Sequence, residues 1–260
     1  MIKRRGFTIL ELLFAMTFTA ILVVSITVLV MNIQGIYRRG LALRQVNATS
    51  RSVVDDITRA IASAPAVSDT AYAIDFINGT STEGGVFCTG FYSYVWKQAD
   101  FLWQPGSATG GGAVSVNGDK DYRLLKVRDV GRTLCRPAAL GLSSCPTLGG
   151  TDRLRCPVSG THNLTAASSE PPVELISSGG LEIALFSFDI FQPAVSSITG
   201  QVFYSGSFIL GTPRGANIQG GLVSTEVCQP PGEADIFDFQ YCSINKFNFA
   251  ASSIGSIGEG

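Results

Sequence analysis

The sequence predicts an α+β protein: a long N-terminal α-helix, transmembrane in its first half, packed on an antiparallel β-sheet ectodomain with a cysteine-bearing loop insertion. Three observations predict it. An apolar run of about 25 residues extends from Phe7 to Met31, which at 1.5 Å per residue is long enough to span a bilayer. Helical periodicity then continues to Ala64 without a proline. From residue 66 onward that periodicity is replaced by short runs rich in Tyr, Phe and Val, separated by Gly- and Pro-rich segments. The organisation is therefore 1–6 as a basic leader, 7–64 as the helix (7–31 within the membrane) and 65–260 as a β-rich extracytoplasmic domain.

Each element has its own signals. Lys3, Arg4 and Arg5 precede the apolar run and hold the N-terminus in the cytoplasm by the positive-inside rule. A secretory signal would have a shorter apolar stretch and a small-x-small cleavage site after it, and no such site follows Met31. Between residues 41 and 64, Val46, Ser50, Val53, Val54, Ile57, Ile61 and Ala64 fall on one helix face. Asp55 and Arg59 form an i,i+4 pair, and Pro65 stops the helix. Glycine at 35 and 40 marks where the helix is weakest by propensity; uninterrupted, it would be about 87 Å long. The predicted strand runs are Tyr72–Ile77, Val86–Lys97, Tyr122–Arg128, Leu181–Ile190, Gln201–Leu210, Leu222–Cys228 and Ile236–Phe249. Apolar residues at both parities in Leu181–Ile190 predict a strand partly buried on both faces.

Charge and cysteine usage narrow the function classes. Residues 1–64 carry eight Lys+Arg against three Asp+Glu, and residues 65–260 carry eleven against seventeen. The mildly acidic exterior argues against sequence-specific nucleic-acid binding. Six cysteines (Cys88, Cys135, Cys145, Cys156, Cys228, Cys242) point to an oxidising compartment and disulfides, with fifteen connectivities open. No CxxC occurs and His162 is the only histidine, so no metal, cofactor or catalytic constellation is expected, and the chain is not expected to be an enzyme. The basic stretch Lys120, Arg123, Lys126, Arg128, Arg132, Arg136 reads as a solvated hairpin face. The aromatic cluster Phe91, Tyr92, Tyr94, Trp96, Phe101 and Trp103 reads as core.

The most informative residue is Glu11, a carboxylate four residues into the apolar run. It either snorkels to the membrane surface or finds a positive partner. A cut between Gly6 and Phe7 would create one, a new terminal amine able to neutralise the Glu11 of a neighbouring copy.

The stretch Lys3-Arg4-Arg5-Gly6-Phe7-Thr8-Ile9-Leu10-Glu11-Leu12-Leu13 resembles the prepilin signal of type IV pilins and pseudopilins. That resemblance implies cleavage after Gly6 by a prepilin peptidase, N-methylation of Phe7 and an assembly role for Glu11. It implies an inner-membrane location before assembly, with the ectodomain outside. Afterwards the chain would belong to an extracellular fimbrium, with other pilin subunits as partners. The size of the ectodomain favours a minor pilin, in priming, tip or cell-adhesion roles; the alternatives are a pseudopilin of a type II secretion or DNA-uptake machine, or a membrane-anchored surface binding module that never polymerises. The resemblance also implies a C-terminal disulfide, Cys228–Cys242. Cys135–Cys145 or Cys145–Cys156 would then close the insertion near 131–170, leaving Cys88 for the remaining cysteine. Many members of that family carry a proline part-way along the membrane half of the helix; this chain has none there.

Overall fold

A computed structural model of the 260-residue chain describes residues 8–64, 72–78, 81–98, 122–140, 145–147, 153–157, 173–176, 183–191, 193–196, 201–212 and 243–256. The first element, α1 (Ile9–Ala62), is one helix of 54 residues. Neither Gly35 nor Gly40 interrupts it, and a Cβ at Gly40 would meet nothing within 4 Å. A glycine costs a helix interior only about 1 kcal/mol, too little to break a run that apolar and Ala-class residues support on both sides. The predicted buried face is confirmed: Val46, Ser50, Val53, Ile57, Ile61 and Ala64 are all buried, and Val54 is half-buried against them.

Among the described residues, ten strands follow in two sheets. The first sheet contains β1 (Ala73–Asn78), β2 (Ser81–Cys88), β3 (Tyr92–Gln98), β4 (Tyr122–Arg128), β5 (Arg153–Pro157) and β6 (Val173–Glu174), in the order β5-β1-β2-β3-β4-β6. The second contains β7 (Ala184–Ile190), β8 (Ala194–Val195), β9 (Gln201–Gly211) and β10 (Ile244–Ser256), in the order β10-β9-β7 with β8 beside β9. All pairs are antiparallel except β1–β5, which is parallel. The single antiparallel sheet expected from the sequence is thus two sheets, one of them mixed. The loop insertion supplies the parallel strand, because Arg153 and Cys156 both have partners on the first sheet.

Strand alternation sorts the side chains. In the first sheet Ala73, Phe87, Tyr94, Trp96 and Leu124 join the main core with the helix stripe and the inner face of the second sheet, Tyr204, Phe208 and Phe249 included. Ile74, Val86, Val95, Leu125 and Val127 point the other way, into a second cluster with Leu134, Cys135 and Cys156 of the insertion. Gly85 is required by close approach: a Cβ there would lie 2.5 Å from both Ile74 O and the Trp96 ring. The freed space lets Trp96 reach Phe188 across the sheets, ring centroids 4.7 Å apart. As predicted, β7 is buried on both faces, since Ala184 and Phe186 form a third cluster with Ile209 on the side away from the main core.

Two polar clamps join these layers. Lys126 Nζ lies 2.8 Å from Asp56 Oδ1, and the Tyr94 hydroxyl donates to Asp56 Oδ2 at 2.8 Å. Lys126 also sits over the Tyr92 ring, 4.2 Å from its centroid. The basic stretch is therefore not one solvated face: Lys126 reaches Asp56 on the helix, while Arg128, on the same face at the end of β4, and Arg136, beyond the strand, are exposed. Second, Arg153 makes a fork to Asp75 (Nε–Oδ2 2.8 Å, NH2–Oδ1 2.7 Å) and donates from its other nitrogen to Ile190 O at 2.9 Å. Burial pulls the Arg153 pKa down, but the hydrogen bond and charge of Asp75 more than offset that, and the pKa ends above its ordinary value.

Burial, and after it the charge and hydrogen bond of Asp56, push the Tyr94 phenol far above the ordinary tyrosine range. The native state therefore keeps Tyr94 protonated at pH values where the unfolded chain ionises it. Its contribution is complete below about pH 10 and is lost as pH rises beyond that. Tyr94→Phe should cost about 1–2 kcal/mol at neutral pH, and its stability should fall less steeply than wild type between pH 10 and 12. Denaturant unfolding across that range checks both; parallel pH profiles would contradict the assignment.

Candidate functional site: the bare apolar half of α1

From Ile9 to Leu41, every residue of α1 is exposed except Gly35, which is half-exposed; the first buried residue is Ala42. That bare stretch is about 50 Å long at 1.5 Å per residue. It carries Ile9, Leu10, Leu12, Leu13, Phe14 and a continuing apolar series to Met31, and Ile9 is 81% exposed. By length and composition α1 can cross a membrane. Such an apolar surface left in water is unfavourable by about 25 cal/mol per Å², so lipid or another apolar surface must cover it.

The local chemistry suits a low-dielectric setting. The helix satisfies its own backbone groups, which a lipid-exposed segment requires. Its hydroxyls do the same: Thr17 donates to Leu13 O and Phe14 O, Thr19 to Ala15 O and Met16 O, Ser25 to Ile21 O and Thr27 to Val23 O, at 2.8–3.1 Å. No hydroxyl in this group is left seeking water.

Glu11 lies three residues after Thr8, which is the N-cap; the Thr8 hydroxyl accepts from the Glu11 main-chain N–H at 3.3 Å. The sequence Thr8-Ile9-Leu10-Glu11 has the Thr-x-x-Glu spacing of a capping box. The carboxylate also stands in the first turn, where the helix dipole favours negative charge. The sequence reading missed this second role, although the four-residue spacing carried the signal.

Of the other predicted site residues, Gly6 and Phe7 lie outside the described residues, as do Cys228, Cys242 and His162. Among the described residues two disulfides are present, Cys88–Cys135 and Cys145–Cys156. They match the alternative in which Cys145–Cys156 closes the insertion and Cys88 takes Cys135. Asn47, within α1, accepts a hydrogen bond from Asn245 Nδ2 at 3.0 Å; there it serves helix-to-sheet packing. Of the aromatic cluster, Tyr94 and Trp96 are core, Phe91 is exposed, and Phe101 and Trp103 lie outside the described residues.

No known family model matches the chain, and neither the curated proteins nor the solved structures give a significant match. The fold and this segment define a β-rich body carried on the distal half of a helix whose proximal half is compatible with membrane anchoring.

Proposed function

We propose that the chain is a structural subunit of a type IV pilus-like filament, a minor pilin made as a membrane-inserted precursor. The observation that carries this reading is the division of α1: one continuous helix, bare and apolar to Leu41, then packed into the β-rich body from Ala42. The leader motif ending at Gly6-Phe7, and the acidic residue at position 11, supply the second support. In this mechanism Lys3, Arg4 and Arg5 hold the precursor in the inner membrane until residues 1–6 are removed. The Phe7 amine then pairs with Glu11 of a neighbouring subunit. Burial of the apolar half among other such helices replaces the lipid it leaves.

The test is the intact mass and N-terminal residue of protein from its native cells. Loss of residues 1–6 with a methyl group on Phe7 is the expected result, and an uncut Met1 start would overturn the reading. Glu11→Ala should leave processing unchanged and lower incorporation into filaments by an order of magnitude, scored by immunoblot of sheared filaments. Normal incorporation would remove Glu11 from the assembly role.

One observation favours a second reading. Glu11 stands in the first turn of α1, where the helix dipole favours its charge within a single chain, which suits a helix-anchored surface module that never polymerises. Retention of the leader, with normal surface exposure, would select it.

A further inference from the structure

From residue 12 to residue 54 the chain has no acidic residue, and its only charges are Arg38, Arg39, Arg44 and Arg51. Arg38 and Arg39 follow directly on Tyr37, which is 66% exposed, Arg44 comes just over a turn after Arg39, and all three arginines are exposed. At 3.6 residues per turn, their positions around α1 are separated by about 100°, 140° and 120°, so they encircle the helix instead of marking one face. Their height is equally specific. The bare helix of about 50 Å slightly exceeds the roughly 40–45 Å of a whole bilayer with its headgroup layers. With Ile9 at the inner headgroup boundary, Tyr37 lies about 42 Å further along the helix, at the outer headgroup boundary, the zone in which tyrosine is favoured. Arg38 and Arg39 then lie within a side chain's reach of the lipid phosphates, and Arg44, about 10 Å beyond Tyr37, about one Debye length away at 0.1 M salt.

We propose that Tyr37, Arg38, Arg39 and Arg44 form a collar that binds the anionic phosphate headgroups of the outer leaflet and fixes the depth of α1. The inference rests on the membrane reading above. Arg38 and Arg39 each also have an interaction within the chain, but a guanidinium carries five donors and its charge attracts a phosphate whichever of them is used. The collar acts on the precursor before assembly. Tyr37, Arg38 and Arg39 sit just below Ala42 and Arg44 just above it, where the helix enters the β-rich body, so headgroup binding would seat that body on the membrane surface.

The full chain, reconstituted in liposomes of phosphatidylcholine and phosphatidylglycerol, tests this by electron spin resonance of spin-labelled lipids. A motionally restricted lipid component is expected, with phosphatidylglycerol enriched in it about threefold or more over phosphatidylcholine. Arg38→Gln/Arg39→Gln/Arg44→Gln should remove at least half of that preference. Lys3→Gln/Arg4→Gln/Arg5→Gln, which changes the other leaflet, should leave the larger part in place. Salt should weaken the preference, and sodium phosphate no more than sodium chloride at equal ionic strength. Stronger displacement by phosphate would mean a free-anion site and would overturn the lipid assignment. Restricted lipid with no preference, or a preference lost only with the leader variant, would overturn the collar while leaving the membrane reading intact. Absence of any restricted lipid would instead overturn the membrane reading on which the collar depends.

Discussion

Asp75→Ala should destabilise the β-rich body by about 3–5 kcal/mol, among the largest effects of any single substitution in this chain. Asp75 is 3% exposed and faces Arg153 in a two-pronged pair. Removing the carboxylate takes away the two-pronged partner of a half-buried guanidinium, which still donates to Ile190 O. The cost comes more from desolvation that the carboxylate no longer compensates than from the lost attraction itself. The argument makes a second, sharper claim: replacing both partners by apolar residues of similar volume, Asp75→Leu with Arg153→Met, should recover most of the loss. Guanidinium unfolding of the detergent-solubilised chain, followed by tryptophan emission, measures both. A double variant as unstable as the single one would show that the pair contributes attraction and not just compensation for the desolvated guanidinium.

Loss of the Cys88–Cys135 disulfide ranks beside it. The bond closes a separation of 47 residues, against 11 for Cys145–Cys156. On the chain-entropy account these correspond to roughly 4 and roughly 3 kcal/mol. The longer loop contains β3 and β4, and its closing end is held a second way. Buried Asp129 accepts from the main-chain N–H groups of Thr133 and Leu134, at 2.8 and 2.9 Å, and from the Ser93 hydroxyl at 2.9 Å. Arg132, between them, has φ 52°, a left-handed conformation uncommon for a non-glycine residue. Cys88→Ala with Cys135→Ala should therefore lower stability by roughly 4 kcal/mol and release this turn; amide exchange at Thr133 and Leu134 should accelerate in step. Slow exchange there in the double variant would mean that Asp129 alone fixes the turn. The corresponding Cys145–Cys156 variant should lose less and leave those amides protected.

The helix was legible in the sequence because both of its halves carry strong patterns, one apolar throughout and one with a single buried stripe. The strands at 122–128, 184–190 and 201–211 were legible because Phe, Ile, Leu and Val mark them directly. The run Val86–Lys97 was not one strand but two. Its break is the turn at Thr89-Gly90-Phe91, where Gly90 has φ 113°, and a lone glycine amid aromatics gives a weak signal. β10, from Ile244, runs further than the pattern suggested, to Ser256; residues 236–242 of that predicted run, and the predicted strand Leu222–Cys228, lie outside the described residues. Its second half, Ala250 to Ser253, has poor intrinsic strand propensity; it is held by pairing with β9 and by packing beside α1. β5 escaped notice because Arg153-Leu-Arg-Cys-Pro looks like exposed loop until Asp75 is set opposite Arg153. In the candidate site, the apolar span was readable from hydropathy alone. The role of Thr8 as a cap for the turn containing Glu11 was less legible, since its signal is the Thr-x-x-Glu spacing alone, beside the much stronger signal of a charge in an apolar run.

The course of β10 beside the helix has a mechanical consequence. Asn245 meets Asn47 near one end of the contact, and the Ile254 N–H donates to Ala64 O, at 3.1 Å, near the other. Strand and helix thus ascend in the same direction, over about 26 Å of helix and about 30 Å of strand. A pull along α1 places this seam in shear, so its contacts resist together and do not open one at a time. Tension applied to the bare end of the helix is thereby spread along the whole flank of the second sheet before it reaches the single peptide link beyond Ala64.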